Sequence, residues 1–429
     1  MRLGGRLAGA IEVLADIETR KRPVADALKD WGLAHRFAGS GDRAAIGNIV
    51  YDALRMKLSH AWLMDDDSAT ALGYGVMLRQ WNMTADALRG EFDGDKFAPE
   101  ALSDSALNAF QSRNLSDAPL HVQGDIPDWV QASFEEAFGE SWLQQAQSLN
   151  ERPTLDLRAN TLKATREKVL KALDDAGAEK TLIARQGIRI PAGTGPSRLP
   201  NVTAELSFQK GWFEVQDEGS QIVADLAGAQ EGEQVLDYCA GGGGKTLAMS
   251  ASMNNKGQVH AFDADRKRLA PIIERLKRAG TRNVQVHDRA AGLNSFLGKF
   301  DRVLVDAPCT GTGTWRRRPD TKWRLTTRNL EERVEQQNDA LKQAKAFVRP
   351  GGFLLYVTCS VLPQENERQV RHFCAENPEF SIQSALPQWD SLFGKAGKRP
   401  HSSDGDTITL TPASTDTDGF FFCAMQKSA

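Results

Sequence analysis

The sequence predicts an α/β protein in which a doubly wound, mostly parallel sheet follows a small α+β insert and an all-helical amino-terminal domain. Three observations lead to this fold class. Apolar residues recur at helical spacing before residue 145, short strands and a helix follow Pro153, and strand and helix alternate after Gln216. We expect domains at residues 1–145, 146–212 and 213–429, since 429 residues can supply two or three hydrophobic cores.

The helical domain is predicted from two faces of apolar residues that lie three or four positions apart. These faces consist of Leu3, Leu7, Ile11, Leu14 and Ile17 and, further along, Ile46, Ile49, Val50, Ala53 and Leu54. The acidic, loop-rich segment 65–117 lacks such a pattern, so no elements are assigned within it.

The insert is predicted from a change of pattern after Pro153. Alternating residues indicate strands over 154–158, 181–184 and 187–190, and Val169, Leu170 and Leu173 form the inward face of a helix between them. Residues 191–200 are rich in Gly, Pro and Ser, which predicts a loop before the next unit.

The large unit is predicted from five strand-like runs, at 234–238, 259–262, 284–287, 302–305 and 353–358. Helical patterns separate them, one of them reaching residue 277 and another residue 347. This rhythm is typical of a parallel sheet with helices on both faces, where ligands bind at the carboxyl ends of the strands.

Composition narrows the class of protein. An apolar fraction of 41%, a charged fraction of 25% and a mean hydropathy of −0.43 are typical of a soluble protein. No apolar run approaches the about 20 residues of a membrane span, and Glu12 and Asp16 interrupt a secretory pattern, so we expect a cytoplasmic protein without membrane contact. A net charge of −3 leaves nucleic-acid binding to a local basic surface. We expect a monomer.

The five cysteines, at positions 239, 309, 359, 374 and 423, are odd in number. In a chain without an export signal this predicts reduced thiols rather than a disulfide framework. Since no CxxC pair or His/Cys cluster at zinc spacing occurs, we expect no metal.

A glycine run follows the first strand of the large unit, over Cys239–Lys245. Consecutive glycines allow close approach of a ligand at a helix amino terminus. A Walker A loop would need glycine at position 239, and a GxGxxG loop that starts at Gly241 would need it at position 246; each pattern fails by one residue.

Two acids follow the next strands, Asp263 and Asp288. Singly, each would be a common strand-end turn residue. Around a glycine loop, however, a carboxylate about twenty residues on can hold ribose hydroxyls, and a second one can bind an adenine amino group. The two acids together therefore favour a nucleoside-containing ligand with few phosphates.

Two cysteines follow neighbouring strands of the same sheet. Cys309 lies in Asp306-Ala-Pro-Cys-Thr-Gly-Thr-Gly, and Cys359 directly follows the strand at 353–358. A lone buried cysteine is usually an unreactive residue of the hydrophobic core. Two cysteines at adjacent strand ends beside a cofactor loop indicate a catalytic role instead.

Such thiols are suited to the methylation of carbon 5 of a pyrimidine. Carbon 5 is a poor nucleophile until a thiolate adds at carbon 6. The proton on carbon 5 must then leave, which requires a second acid/base group. Asp306 could bind ring N3 and the amino group during attack. The residues alone do not order the two cysteines.

Four sequence runs resemble the Sun-type RNA cytosine-5 methyltransferases. The runs are Asp237-Tyr-Cys-Ala-Gly-Gly-Gly-Gly-Lys-Thr, Asp306-Ala-Pro-Cys-Thr-Gly-Thr-Gly, Thr358-Cys-Ser-Val-Leu-Pro-Gln-Glu-Asn366 and Asp418-Gly-Phe-Phe. The amino-terminal helices resemble the NusB-like domain of bacterial family members that methylate small-subunit ribosomal RNA, and Leu157-Arg-Ala-Asn160 and Phe213-Glu-Val-Gln-Asp-Glu-Gly-Ser220 resemble that group's intervening motifs. The resemblance extends over most of the chain and implies a Rossmann-like methyltransferase domain.

The resemblance also implies site roles. Cys359 is the expected nucleophile, Cys309 assists product release, and Asp306 and Lys245 complete the catalytic set. The residues expected to bind S-adenosyl-L-methionine are Cys239, Ala240, Gly241, Gly242, Gly243, Gly244, Lys245, Asp263, Asp288 and Asp306. The family loop usually has Ala-Pro where Gly241-Gly242 stand here, which predicts a more flexible loop.

A basic run interleaved with aromatics lies between the cysteine motifs, from Trp315 onward. Arginines can contact phosphates while tryptophans stack on bases, as in single-stranded RNA binding. The residues expected to contact RNA are Arg316, Arg317, Arg318, Lys322, Trp323 and Arg324. The alternative is a solvated loop whose tryptophans face the core.

The sequence therefore predicts methylation of cytosine carbon 5 in small-subunit ribosomal RNA through a Cys359 adduct. Four alternatives stay open: a transfer-RNA enzyme, a non-catalytic RNA-binding assembly factor, a DNA cytosine-5 methyltransferase with Cys309 as nucleophile, and a P-loop ATPase suggested by Gly244-Lys-Thr. The Thr358-Cys-Ser run argues against the DNA enzyme.

Overall fold

The amino-terminal region of the computed structural model, which describes residues 1–394 and 397–429, is helical throughout. Its helices are α1 (Leu3–Arg20), α2 (Val24–Ala34), α3 (Ser40–Arg55), α4 (Lys57–Met64), α5 (Ala69–Gly75), α6 (Ala85–Phe92), α7 (Asp104–Ser112), α8 (Leu120–Gln123), α9 (Gln131–Phe138) and α10 (Trp142–Ser148). Helices α1, α3 and α5 surround a core that includes Leu7, Ile46 and Ile49. The predicted helical domain is confirmed.

The segment 65–117, in which no element was predicted, contains three of these helices, each starting at a hydroxyl N-cap. The side chains of Ser68, Thr84 and Ser103 each accept a hydrogen bond from a backbone N–H three residues on. Such caps satisfy helix-end donors that would otherwise be unpaired.

The middle domain is a small antiparallel sheet over residues 155–215 with strand order β2-β3-β1-β4. Its elements are β1 (Leu155–Ala159), α11 (Arg166–Ala172), β2 (Glu179–Lys180), β3 (Gly187–Ile190), α12 (Leu206–Gln209) and β4 (Phe213–Val215). Since β4 pairs with β1, the middle domain continues past the predicted boundary at residue 212.

The prediction of a strand at 181–184 is wrong, because this segment bends around the buried carboxylate of Glu218. The backbone N–H groups of Ile183 and Ala184 both donate to Glu218 Oε1, at 2.9 and 2.8 Å. These donors are therefore not free to pair with a strand.

The large domain has strand order β10-β12-β9-β8-β5-β6-β7, with β11 paired to β12. Its elements are α13 (Glu218–Leu226), β5 (Gln234–Asp237), α14 (Gly244–Ser252), β6 (Gln258–Phe262), α15 (Arg266–Leu269), α16 (Ile272–Ala279), β7 (Val284–His287), β8 (Phe300–Asp306), α17 (Pro319–Arg324), α18 (Thr327–Ala344), β9 (Val348–Thr358), α19 (Glu367–Glu376), β10 (Phe380–Gln383), α20 (Leu386–Phe393), β11 (Ile408–Leu410), α21 (Pro412–Thr415) and β12 (Phe420–Lys427). Strands β5 to β9 are parallel, which confirms the doubly wound α/β fold. The antiparallel β10, β11 and β12 were not predicted.

The helix predicted to run to residue 277 is broken in two. Helix α15 ends at Leu269 and α16 starts at Ile272, with Pro271 between them. A proline removes a backbone donor and clashes with the preceding turn, so the axis changes there.

Within residues 1–394 and 397–429, no helix combines the length and apolar character that crossing a membrane requires.

Candidate active site

A cleft of about 1090 Å³ opens at the carboxyl ends of the parallel strands. It is the position at which doubly wound sheets bind ligands. Of the residues expected to take part in binding or catalysis, those that line it are Cys239, Asp263, Asp288, Asp306, Cys309 and Cys359.

The two cysteines of the strand-end motifs are in direct contact. The Sγ atoms of Cys309 and Cys359 lie 3.3 Å apart. Strands β8 and β9 are adjacent and parallel, with Asp306 opposite Val357, so their ends bring both thiols to one edge. The hydrogen bond to Cys359 and the burial of the Cys309 thiol raise the pKa of Cys309 well above its usual value. Cys309 therefore keeps its proton while Cys359 is beside it.

An ion pair faces the thiols across the cleft mouth. Lys245 Nζ lies 2.7 Å from Asp306 Oδ2, and the lysine side chain is buried at the start of α14. The ammonium also lies 5.2 Å from the centre of the Phe420 ring. Lys245 thus reaches from the start of α14 to the carboxylate that ends β8.

The glycine loop is tied to its surroundings at two points. Gly241 N donates to Asp263 Oδ2 at 2.8 Å, and Gly242 O accepts from Arg275 Nη1 at 2.5 Å. Gly243 has φ of +80°, and a Cβ there would lie 2.5 Å from Ile272 Cγ1. Glycine at 243 is required both by its backbone conformation and by the packing of α16.

The two strand-end acids have different environments. Asp263 is buried and accepts from the N–H groups of Gly241 and Asp265, both at 2.8 Å. The Asp288 side chain also lines the cleft and is 74% exposed. Cys239 lines the same cleft, and burial raises the pKa of its thiol far above the usual range, which argues against a nucleophilic role for it.

Two family models match the chain. The model described as 16S rRNA methyltransferase RsmB/F matches residues 225–426, and a ferredoxin-like domain of the RsmF/B-like methyltransferases matches residues 126–194. Ribosomal RNA small subunit methyltransferase B of Yersinia pseudotuberculosis is 33% identical over 340 residues, which are 76% of this chain and 73% of that protein. The chain belongs to the RsmB/F methyltransferase family.

Solved structures share the fold of this RsmB/F family member. The crystal structure of the protein PH0851 covers 100% of both chains at 24% identity with a TM-score of 0.73. NSun6 from Pyrococcus horikoshii, solved with SFG, covers 71% of this chain and 98% of its own, at 21% identity and a TM-score of 0.61.

The cofactor of this RsmB/F methyltransferase is S-adenosyl-L-methionine. The residues at the site fit an adenosine group, because the carboxylates of Asp263 and Asp288 follow the adjacent parallel strands β6 and β7 and line one cleft together with Phe262, the last residue of β6. Asp263 would hold the ribose hydroxyls and Asp288 the adenine amino group. When bound, the cofactor supplies an electrophilic methyl group.

One residue of the RsmB/F site, Glu365, was not singled out from the sequence, although it lies within one of the motif runs. Its buried carboxylate accepts from Thr310 N at 2.8 Å and from Gln337 Nε2 at 2.9 Å. It thereby fixes the turn that carries Cys309. Burial raises the pKa of Glu365.

A glycine pair fixes the terminal motif of the RsmB/F chain beneath the cysteines. A Cβ on Gly313 would lie 2.3 Å from Gly419 O, and Gly313 N donates to Cys359 O at 3.0 Å. The Asp418-Gly-Phe-Phe run is therefore structural support for the loop between the two thiols.

Two of the residues expected to contact RNA are buried instead. Arg316 forms an ion pair with Asp418, and Lys322 Nζ donates to Asn150 Oδ1 at 2.6 Å; their exposed fractions are 1% and 0%. The prediction of RNA contact is thus wrong for both. Burial lowers the pKa of Lys322 to about 7.

The other residues of that basic run have mixed environments. Arg317 is also paired with Asp418, Trp323 Nε1 donates to a backbone carbonyl of α3 at 2.6 Å, and Arg324 is paired within its own helix. Arg318 lines the cleft. The run mainly docks α17 on the helical domain, in agreement with the alternative interpretation that the tryptophans face the core. Of the six residues expected to contact RNA, Arg318 is the one that lines the cleft.

Asp237 gives this RsmB/F enzyme a pH-dependent stability. Its Oδ2 accepts from Thr246 Oγ1 at 2.6 Å, while burial raises its pKa from 3.8 to about 7. Between these values the folded protein keeps a proton that the unfolded chain releases, so stability falls as pH rises.

As the pH rises from 4 to 7, we expect the free energy of unfolding to fall by on the order of 2–4 kcal/mol because of Asp237. Urea unfolding of the wild type and Asp237→Asn across this range measures it. An equal pH slope in both proteins would contradict the assignment.

Proposed function

We propose that this enzyme methylates carbon 5 of a cytosine in small-subunit ribosomal RNA through a covalent bond between Cys359 and carbon 6. The observation that carries the proposal is the contact between the Cys309 and Cys359 thiols, 3.3 Å apart in the same cleft as the cofactor acids. A methyl transfer to nitrogen or oxygen needs no thiol, whereas carbon 5 needs both a nucleophile and a second acid/base group.

The contact between the two sulfurs supports the roles that we propose for them. The pKa of Cys309 is raised, so its S–H can donate a hydrogen bond to the Cys359 sulfur. Cys359 is therefore the proposed nucleophile. The same assignment follows from the resemblance of the Thr358-Cys-Ser run to the Sun-type family.

The first step forms the bond from Cys359 Sγ to carbon 6 and moves the electron pair of the C5–C6 double bond toward carbon 5 and N3. The Lys245 ammonium can donate a proton to N3, and the Asp306 carboxylate can accept from the amino group. These two charges are already paired before the base arrives, so the site requires little reorganisation. Carbon 5 would then take the methyl group that the cofactor supplies, with cleavage of the bond between that methyl group and the sulfonium sulfur, and S-adenosylhomocysteine would be the leaving group.

The second step removes the C5 proton and breaks the bond to Cys359. Once Cys359 is bound to carbon 6, the hydrogen bond between the two sulfurs, which raised the pKa of Cys309, is lost. Cys309 can then release its proton to solvent, and its thiolate takes the C5 proton. The electrons re-form the C5–C6 double bond, expel the Cys359 thiolate and return the N3 proton to Lys245.

The choice of RNA rests on the family. The matching model is described as a 16S rRNA methyltransferase, and the Yersinia pseudotuberculosis relative is named for the small ribosomal subunit. Cys359 lies at the base of a cleft, so the target cytosine must be unstacked to reach it. A loop or bulge base is the expected substrate.

The test is to incubate the protein and labelled S-adenosylmethionine with unmodified transcripts of small-subunit ribosomal RNA and of transfer RNA. We expect labelled 5-methylcytidine in nucleosides digested from the ribosomal transcript. Label on another nucleoside would overturn the carbon-5 assignment, and label confined to transfer RNA would overturn the substrate. If no methyl group is transferred to either transcript, or to the RNA of partly assembled subunits, a non-catalytic assembly role would be favoured.

A further inference from the structure

We propose that a basic surface at the junction of the middle domain and α16 binds the phosphate backbone of the RNA that flanks the target base. We call it the junction patch, and it consists of Lys163, Lys168, Lys210 and Lys277. The inference rests on the proposed function only in taking RNA as the substrate.

The charges of the junction patch are available to a partner. All four lysines are exposed, and among the described residues none of them has an ion-pair partner within 4.0 Å. Lys163, Lys210 and Lys277 line one depression of about 590 Å³, where Glu274 supplies the carboxylate among the described lining residues. A surface with this excess of unpaired ammonium groups attracts a polyanion.

Aromatic rings lie among these cations. Lys168 Nζ and Lys210 Nζ lie 4.1 and 5.5 Å from the centre of the half-buried Trp212 ring. The half-buried Phe208 lines the same depression, with the Arg278 guanidinium 4.1 Å from its ring. Alternating cations and aromatic rings are typical of surfaces that bind single-stranded RNA.

The junction patch spans two domains, but the junction is closely packed. Asn160 Nδ2 donates to both Gly211 O and Ala279 O at 2.8 Å. A Cβ on Gly211 would lie 2.0 Å from Arg278 O, and one on Gly280 would lie 2.4 Å from Lys163 Cε. The lysine backbones are therefore held in a fixed relation, which lowers the entropic cost of binding an extended strand.

Helix α16 connects the patch to the cofactor loop. Its Ile272 packs beneath Gly243 and its Arg275 bonds to Gly242 O, while Lys277 lies in the patch. Arg266 and Arg268 of the preceding α15 line the cleft itself. The patch is thus joined through α16 to the loop and the cleft in which we place the reaction.

The test compares Lys163→Ala/Lys277→Ala with the control Lys29→Ala/Lys299→Ala. The control lysines are also exposed and without an ion-pair partner among the described residues, but they line neither the cleft nor the patch depression. The probe is an unmodified small-subunit ribosomal RNA transcript, titrated at several salt concentrations in a binding assay that does not depend on methylation. Thermal unfolding and S-adenosylmethionine binding check that both variants are intact.

For the junction-patch variant we expect RNA binding about tenfold weaker at low salt and a log–log salt slope shallower by about 0.7–0.9 per lysine. The control variant should bind like the wild type. Equal losses in the two variants, or no loss in the patch variant, would overturn the proposal. If RNA binding depends on the patch but the wild type forms no 5-methylcytidine, the proposed chemistry fails and the surface stands.

Discussion

Replacement of Cys359 by alanine is expected to abolish both methyl transfer and the covalent RNA adduct. Without the Sγ atom no bond to carbon 6 forms, and carbon 5 keeps the low reactivity of an aromatic ring carbon. Loss of a nucleophile typically lowers kcat by at least about 10⁴-fold. The measurement is transfer of labelled methyl to the ribosomal transcript, with adducts detected by denaturing gel.

The Cys309→Ala variant distinguishes formation of the adduct, assigned to Cys359, from its release, assigned to Cys309. It should still form the adduct but release it slowly, because the group that takes the C5 proton is missing. Cys374→Ala is the matched control, since this thiol lies outside the cleft and should leave both readouts unchanged. Adduct formation by Cys359→Ala, together with its loss in Cys309→Ala, would reverse the assignment.

Asp418→Ala is expected to lower the free energy of unfolding by about 3–5 kcal/mol, the typical effect of removing one partner from a buried ion pair. Asp418 is 2% exposed and pairs with the buried Arg316 and with Arg317, so its loss leaves these two guanidinium groups with Asp217 as their one remaining carboxylate among the described residues. Chemical denaturation measures the effect.

Glu332→Ala is the control for that measurement. Glu332 forms a surface pair with Arg328, and its side chain is 49% exposed, so its loss should cost less than about 1 kcal/mol. If Asp418→Ala instead unfolded like the wild type and lost only RNA affinity, the basic run would be an RNA-binding surface after all.

The parallel strands of the large domain could be predicted because they are buried on both faces and are therefore short continuous apolar runs. Their parallel direction could be predicted too, since connections through helices place successive strands in parallel, whereas the order in which β5 lies beside β8 was not predicted. The chain from residue 380 onward was not predicted, because antiparallel strands such as β12 depend on long-range pairing, here with β9 and β10. The prediction of a strand at 181–184 was wrong for a similar reason, since the backbone N–H groups of Ile183 and Ala184 donate to Glu218, which lies more than thirty positions away.

The structure brings the predicted strand-end groups together in one cleft, whereas two predicted RNA contacts are wrong because their partners are distant in sequence. Cys309 and Cys359 follow adjacent strands, so their contact follows from topology alone. The charge of Arg316 is neutralised by Asp418, which is 102 positions away, and no local pattern shows such a pair. The basic run therefore resembled an RNA-binding loop, whereas the junction patch is assembled from three segments that are distant in sequence, around residues 163–168, 210 and 277.

The position of β12 also constrains the order in which the protein can fold during synthesis. Strand β12 lies between β9 and β10, and Asp418 directly precedes it. Until these residues leave the ribosome, the sheet lacks an interior strand and Arg316 lacks the nearer of its two carboxylates. Helices α1 to α10 can form earlier. A nascent chain of this enzyme therefore completes its catalytic cleft only after synthesis has passed β12, which delays activity until the whole sheet is present.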